Sequence, residues 1–163
     1  MSRSTGHANN AGRKILNEAA LLDAIETLLV ERGQGEELLI FDEAEFGSFA
    51  AAAAFLHANV RAVVGPHGGG LYHHRFAGPD TLVLEFQPDT VHEAMFWEEA
   101  SLLSQVYRPM SFPVADGQTD FDVGIDAVIE VLAERLGRRD ERGASVTDAY
   151  QWTSAELGLE TQR

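Results

Sequence analysis

The chain has 163 residues, 45% hydrophobic and 23% charged, a composition typical of one globular domain. Twenty-six acidic against twelve basic residues give a formal net charge of −14, which repels a phosphate backbone and excludes a general nucleic-acid binder. Because cysteine is absent, disulfides, zinc–thiolate sites, iron–sulfur clusters and thiol catalysis are excluded. The polar start and the lack of a long apolar run predict neither a signal peptide nor a membrane-spanning segment.

The first half of the chain alternates helical and extended patterns. Apolar spacing from Ile15 predicts a helix that Asn17 caps and Gly33 ends. The apolar run at 38–41 predicts a buried strand, and the alanine-rich stretch at 46–56 predicts a second helix.

The second half continues the alternation. Apolar runs at 60–64, 81–86 and 105–108 predict strands, and the spacing at 91–103 and 121–136 predicts helices. Strands and helices in this order predict an α/β fold, a Rossmann-like parallel sheet with helices on both faces. We expect one domain over 1–137, followed by a charged, weakly structured tail over 138–163.

The segment 65–71, GPHGGGL, follows a predicted strand and is expected to open a helix. Consecutive glycines let a ligand approach the backbone, and free amides at a helix start attract an anion. The segment therefore predicts a phosphate or diphosphate site, with a tight structural turn as the alternative. Neither the P-loop pattern nor the dinucleotide-binding glycine pattern fits it.

The string HGGG within this segment also matches the oxyanion-hole motif of esterases and lipases. Such enzymes need a Gly-x-Ser-x-Gly nucleophile, and that string does not occur. Ser48 lacks the framing glycines, so a hydrolase stays an alternative.

Three histidines follow His67. A metal site could be drawn from His73, His74 and His92, but there is no His-Glu-x-x-His string and adjacent histidines are rarely both ligands. We predict no metal. Instead, His73 is predicted to hydrogen-bond a sugar or diphosphate, whereas a solvent-facing position is the alternative for His74.

Glu85 lies in the strand at 81–86, at the sheet edge where the glycine segment begins. Its carboxylate can accept hydrogen bonds from ribose or sugar hydroxyls; a helix cap or an arginine partner is the alternative. Arg3 and Arg13 are among the few cations near the start of the fold, and a diphosphate would need them. Arg13 is the stronger candidate, because ordered structure is predicted to begin beside it.

These pieces together resemble the family 61 glycosyltransferases over about residues 2–108. Members carry an arginine, an R-x-I-x-N-E segment, G-P-H-G-A-G-L and a strand ending in glutamate and proline. Here we find Arg3, RKILNE at 13–18, GPHGGGL at 65–71 and VLEFQP at 83–88. Gly69 replaces the usual alanine, and Tyr72-His73 stands where Thr-His or Thr-Asn is common.

The resemblance implies a GT-B fold of two Rossmann-like halves, of which this chain would be the carboxyl, donor-binding half. It implies inverting transfer of a sugar from UDP to a glycan or protein acceptor, without a cofactor. Such enzymes act in the secretory pathway (ER or Golgi) or in the cytoplasm. The chain would then be a fragment, or a partner would supply the first half.

By the same resemblance, twelve residues are expected to bind the nucleotide-sugar, and the catalytic base stays unassigned. They are Arg3, Arg13, Asn17, Glu18, Gly65, His67, Gly68, Gly69, Gly70, Leu71, His73 and Glu85. A non-catalytic α/β binding module is the alternative function.

Overall fold

A computed structural model describes residues 12–91 and 93–137. Its strands are β1 (Ala62–Pro66), β2 (Leu82–Pro88) and β3 (Val106–Phe112), which form a parallel sheet in the order β1-β2-β3. Its α-helices are α1 (Glu18–Arg32), α2 (Phe49–Asn59), α3 (Met95–Leu102) and α4 (Ile125–Gly137). Two 3₁₀ helices, Glu43–Phe46 and Gly69–Phe76, precede α2 and follow β1; we call the latter the loop helix. Arg3, His92 and the predicted tail at 138–163 lie outside the described residues.

Helix α1 forms where the apolar spacing predicts it. Leu21, Ile25 and Leu29 are buried on one face, and Gly33 ends the helix in the left-handed conformation at φ 58°. Asn17 occupies the N-cap position as predicted, but its side chain makes no capping hydrogen bond. Its amide nitrogen donates to the Val123 carbonyl at 2.9 Å and its amide oxygen accepts from the Val123 amide at 3.0 Å, so the side chain ties two segments together.

The sheet has an apolar core on each face, as the predicted Rossmann-like architecture requires. Leu82, Leu84 and Phe86 of β2 alternate onto the face covered by α1 and α4. Val83 belongs to a second core together with residues of β1, the loop helix and α3. Glu85 shares the face of Val83 by the same alternation, which places a carboxylate in the interior of this second layer.

The strand predicted at 38–41 is wrong. The chain there has no regular secondary structure, and Leu39 and Ile40 are 48% and 44% exposed. Before it, Glu36 is held by Arg32, with Nε to Oε2 at 2.8 Å, and by Arg61. A cavity of about 690 Å³ lies between this segment, α1, α2 and β1. Residues 38–41 therefore line this cavity beside β1 and do not add a strand to the sheet.

The remaining elements confirm the predicted order with shifted ends. The helix expected at 91–103 begins at Met95, and the helix expected at 121–136 begins at Ile125. The strand expected at 105–108 continues to Phe112. No helix within the described ranges, 12–91 and 93–137, is long and apolar enough to span a membrane.

Candidate functional site

The carboxyl ends of β1 and β2 bring the glycine segment and Glu85 together. Gly65 and Glu85 are register partners across the two strands. Directly after β1, the His67 amide donates to the Phe86 carbonyl at 2.8 Å. This hydrogen bond continues the strand pairing to the start of residues 67–70, which we call the glycine loop. In open α/β sheets, ligands bind beyond this edge.

His67, Glu85 and Tyr107 form a hydrogen-bonded chain under the loop. Nδ1 of His67 contacts Oε1 of Glu85, and the Tyr107 hydroxyl donates to Oε2 of the same carboxylate. The side chain of Glu85 is fully buried, and that of His67 is 5% exposed. Because an ionised carboxylate only accepts, Nδ1 of His67 donates to Glu85, and Nε2 is the ring nitrogen that does not contact this carboxylate.

The pKa of the Tyr107 phenol is raised above its usual value of 10.0. Burial is the main cause, and the hydrogen bond to Glu85 and the charge of that carboxylate add to it. The phenol therefore stays a proton donor to Glu85 at neutral pH.

The second nitrogen of His67 faces an acidic side chain at the surface. Nε2 lies 3.3 Å from Oε2 of Glu93, whose side chain is 55% exposed. The imidazole packs edge-on against the buried ring of Phe96, with centroids 5.3 Å apart. The imidazole of His67 therefore contacts Glu85, Glu93 and Phe96, and its Nε2 faces the carboxylate of Glu93.

The glycine loop has one position that requires glycine and one that does not. Gly68 has φ 138° and ψ −172°, a region open essentially to glycine alone. A Cβ at Gly69 would meet no atom within 4 Å, so the alanine usual in the resembled family fits here. Gly69 and Gly70 are exposed and begin the loop helix, where amides have no partner within the helix. The backbone donors of Gly69 and Gly70 therefore lie two and three residues after His67.

The two histidines of the loop helix, His73 and His74, have different surroundings. His73 sits beside the glycine loop, with Nδ1 3.1 Å from the Gly70 carbonyl and Nε2 3.2 Å from Oε2 of Glu43. The solvent-facing position offered for His74 is wrong, because this side chain is fully buried. Nδ1 of His74 donates to Oε1 of Gln105 at 2.8 Å, and Gln105 in turn donates to the His74 carbonyl, which locks the loop helix to the start of β3.

The structure gives the other predicted site residues in its described part different contacts. The amide of Arg13 donates to Oγ1 of Thr119 at 3.3 Å, and Asn17 is committed to Val123. Glu18 begins α1 and lines the cavity beside β1. Leu71 is 1% exposed and packs in the second core, and its amide donates to the Gly68 carbonyl at 2.9 Å, so its role here is packing.

Sequence reasoning missed Tyr107 and Glu93. Tyr107 lies in a predicted strand, but its approach to Glu85 depends on the register that pairs it with Val83, which no local pattern shows. Glu93 lies between β2 and α3. Its contact with Nε2 of His67 is a tertiary contact that no local pattern shows. Within the described residues, no group of three or more metal-ligating side chains is assembled.

The comparison with known families bears directly on this edge of the sheet. The family model of glycosyltransferase 61 matches residues 1–84, just over half of the 163 residues. The chain belongs to glycosyltransferase family 61. The matched range contains the glycine loop and His67 and ends directly before Glu85. A search of curated proteins found no match.

Membership of family 61 confirms the resemblance found in the sequence and makes the protein a glycosyltransferase. Glycosyl transfer needs a leaving group to be bound and its developing charge to be stabilised. In this glycosyltransferase, the exposed amides of the glycine loop and Nε2 of His67 are the groups whose chemistry suits that task.

Proposed function

We propose that this family 61 glycosyltransferase binds a UDP-sugar at the glycine loop and transfers the sugar, with inversion, to a glycan or protein acceptor. The observation that supports it best is the pairing of His67 with Glu85. That pairing commits Nδ1 of His67 to the buried carboxylate, and His67 lies two residues before the exposed Gly69 and three before the exposed Gly70. An imidazole and backbone amides together suit a diphosphate.

In this proposal the acceptor oxygen attacks the anomeric carbon from the side opposite the diphosphate, and the proton of the acceptor hydroxyl passes to a general base. The bond between the anomeric carbon and the diphosphate oxygen breaks, and its electron pair leaves with UDP. Negative charge then grows on the diphosphate, and donors already in position stabilise it at little cost of reorganisation. The loop amides would supply those donors, together with Nε2 of His67 when the imidazole carries a proton on both nitrogens.

Glu85 would affect the reaction through its contact with His67 and would not contact the sugar itself. Its side chain is fully buried, and both carboxylate oxygens are engaged, by His67 and by Tyr107. It is therefore proposed as a positioning residue that fixes the ring and the proton of His67. Arg3 and Arg13 are proposed to add positive charge near the diphosphate, and a second Rossmann-like half, as in GT-B enzymes, is proposed to close the donor site.

Calorimetric titration of the purified chain with UDP tests the proposal, with UMP and AMP as comparison ligands. We expect UDP to bind more tightly than UMP or AMP. A hydrogen bond to a charged group contributes about 1.5–3 kcal/mol, so His67→Ala should weaken UDP binding roughly 10- to 150-fold.

His57→Ala is the matched control, because His57 is an exposed histidine of α2. It should leave the affinity for UDP unchanged. Circular dichroism would show that both variants fold. Equal UDP affinity in the wild type and in His67→Ala would contradict the role of His67, and a folded wild type that binds no UDP would contradict the donor site. Hydrolysis of a nitrophenyl ester would instead favour the esterase alternative.

A further inference from the structure

The nine phenylalanines separate into two groups. Phe86, Phe96, Phe112 and Phe121 are buried in the two cores of the sheet. None of the other five is buried, although they outnumber the buried ones. These five are Phe41, Phe46, Phe49, Phe55 and Phe76.

These five rings, of which Phe49 is exposed and the other four are half-buried, form one continuous cluster with His73, which we call the aromatic platform. Phe55 contacts Phe46 at 5.0 Å between centroids, and Phe46 contacts Phe41 at 5.4 Å. Phe41 contacts the ring of His73 at 4.9 Å. On the other side, His73 lies 6.5 Å from Phe76, and Phe76 lies 5.0 Å from Phe49.

The platform begins where the glycine loop ends. Nδ1 of His73 lies 3.1 Å from the carbonyl oxygen of Gly70, the last glycine of the loop. The central ring of the platform is therefore held against the residues that carry the exposed amides. Beyond it, Phe49 is 53% exposed at the start of α2.

The charges around the platform suit a neutral ring better than a second anion. The carboxylate of Glu43 lies 3.2 Å from Nε2 of His73, and Asp42 caps the short helix that carries Glu43. These carboxylates would repel a phosphate placed over the platform, whereas stacking on a π-face needs no charge.

We propose that the aromatic platform is the stacking surface for the nucleobase of the donor. This inference rests on the proposed function, because it needs the diphosphate of the same ligand at the glycine loop. A nucleoside diphosphate has a charged group at one end and a planar ring at the other, and the loop and the platform offer matching surfaces side by side. Stacking on aromatic side chains accepts any base, so the platform supplies affinity and not base selectivity.

The test compares UDP with inorganic pyrophosphate, which carries the charged group without the base. Both are titrated into the wild type, Phe41→Ala, Phe41→Leu and Phe49→Ala. Phe41→Leu keeps apolar bulk and removes the aromatic face, so it covers the case in which the alanine variant does not fold. Val30→Ala, a truncation at an 80% exposed site on α1, is the control.

We expect the two Phe41 variants to lose roughly tenfold in UDP affinity, within the range for one stacked base. Phe49→Ala should lose less, and pyrophosphate affinity should not change in any variant. Unchanged UDP affinity in the Phe41 variants, or an equal loss for both ligands, would overturn the platform while leaving the diphosphate site in place. A folded wild type that binds neither ligand would overturn the proposed function and the platform together.

Discussion

The side chains of His67, directly after β1, and of Glu85, in the neighbouring strand β2, hydrogen-bond in the protein interior. Gly65 and Glu85 lie opposite each other in the register, and the imidazole two residues after Gly65 contacts the carboxylate. Tyr107 adds a third strand to the same arrangement. One carboxylate therefore links all three strands and fixes the orientation of His67 at the sheet edge.

The hydroxyl of Tyr107 should contribute measurably to stability. Tyr107→Phe leaves Oε2 of the buried Glu85 without this donor, and an unsatisfied buried acceptor costs about 1–3 kcal/mol. Urea unfolding would measure the loss. Tyr72→Phe removes a hydroxyl that donates only to the sulfur of Met95, at 2.7 Å, and should cost less than 1 kcal/mol because sulfur is a weak acceptor. Equal costs in the two variants would contradict a special role for the Glu85 contact.

Stability should fall at alkaline pH through Tyr107. Because the folded state raises the pKa of this phenol above 10.0, the folded protein holds the proton more tightly than the unfolded chain. The contribution is complete below about pH 10 and is lost as the pH rises further, towards the folded pKa. Unfolding free energies at about pH 9 and pH 11 should therefore differ more in the wild type than in Tyr107→Phe. Identical slopes in the two proteins would contradict the assignment.

Removing the charge of Glu93 should strengthen anion binding. Its carboxylate lies 3.3 Å from Nε2 of His67, where the proposed function requires the diphosphate. Exposed ion pairs contribute about 0.2–1 kcal/mol, so Glu93→Gln should tighten UDP binding by up to roughly fivefold. Calorimetry would measure this.

Glu98→Gln removes the same charge from an exposed position in α3 and serves as the control for Glu93→Gln. It should change UDP affinity less than Glu93→Gln does. Weaker binding in Glu93→Gln would show instead that this carboxylate supports the ligand.

The glycine loop should tolerate alanine at one position and not at the preceding one. Gly68→Ala forces a side chain into a backbone region at φ 138° that costs about 1–3 kcal/mol. Gly69→Ala places its methyl group in open space and should change stability by less than about 0.5 kcal/mol. Thermal unfolding of the two single variants measures the difference. A loss in Gly69→Ala as large as that in Gly68→Ala would contradict the loop geometry.

Local patterns were sufficient to predict most elements and the position of the loop. The apolar spacing of Leu21, Ile25 and Leu29 predicted α1, and the apolar run before Gly65 predicted β1. They failed at 38–41, because an apolar run shows that a segment avoids water but not which backbone it pairs with. Local patterns also failed to predict that His74 is buried, because the hydrogen-bond partner of its ring, Gln105, lies 31 residues away in the sequence.

Three features follow from the order of the amino acids without a structure: the α/β class, the glycine loop with His67 at its start, and membership of family 61. These depend on the order and spacing of neighbouring residues, which the chain carries directly. The tertiary structure alone decided that Glu85 is buried against His67 and Tyr107, that Glu93 reaches Nε2 of His67, and that five phenylalanines gather beside the loop. Such contacts depend on strand register and on the packing of distant segments. Both are set by the free energy of the whole fold and not by any local run of residues.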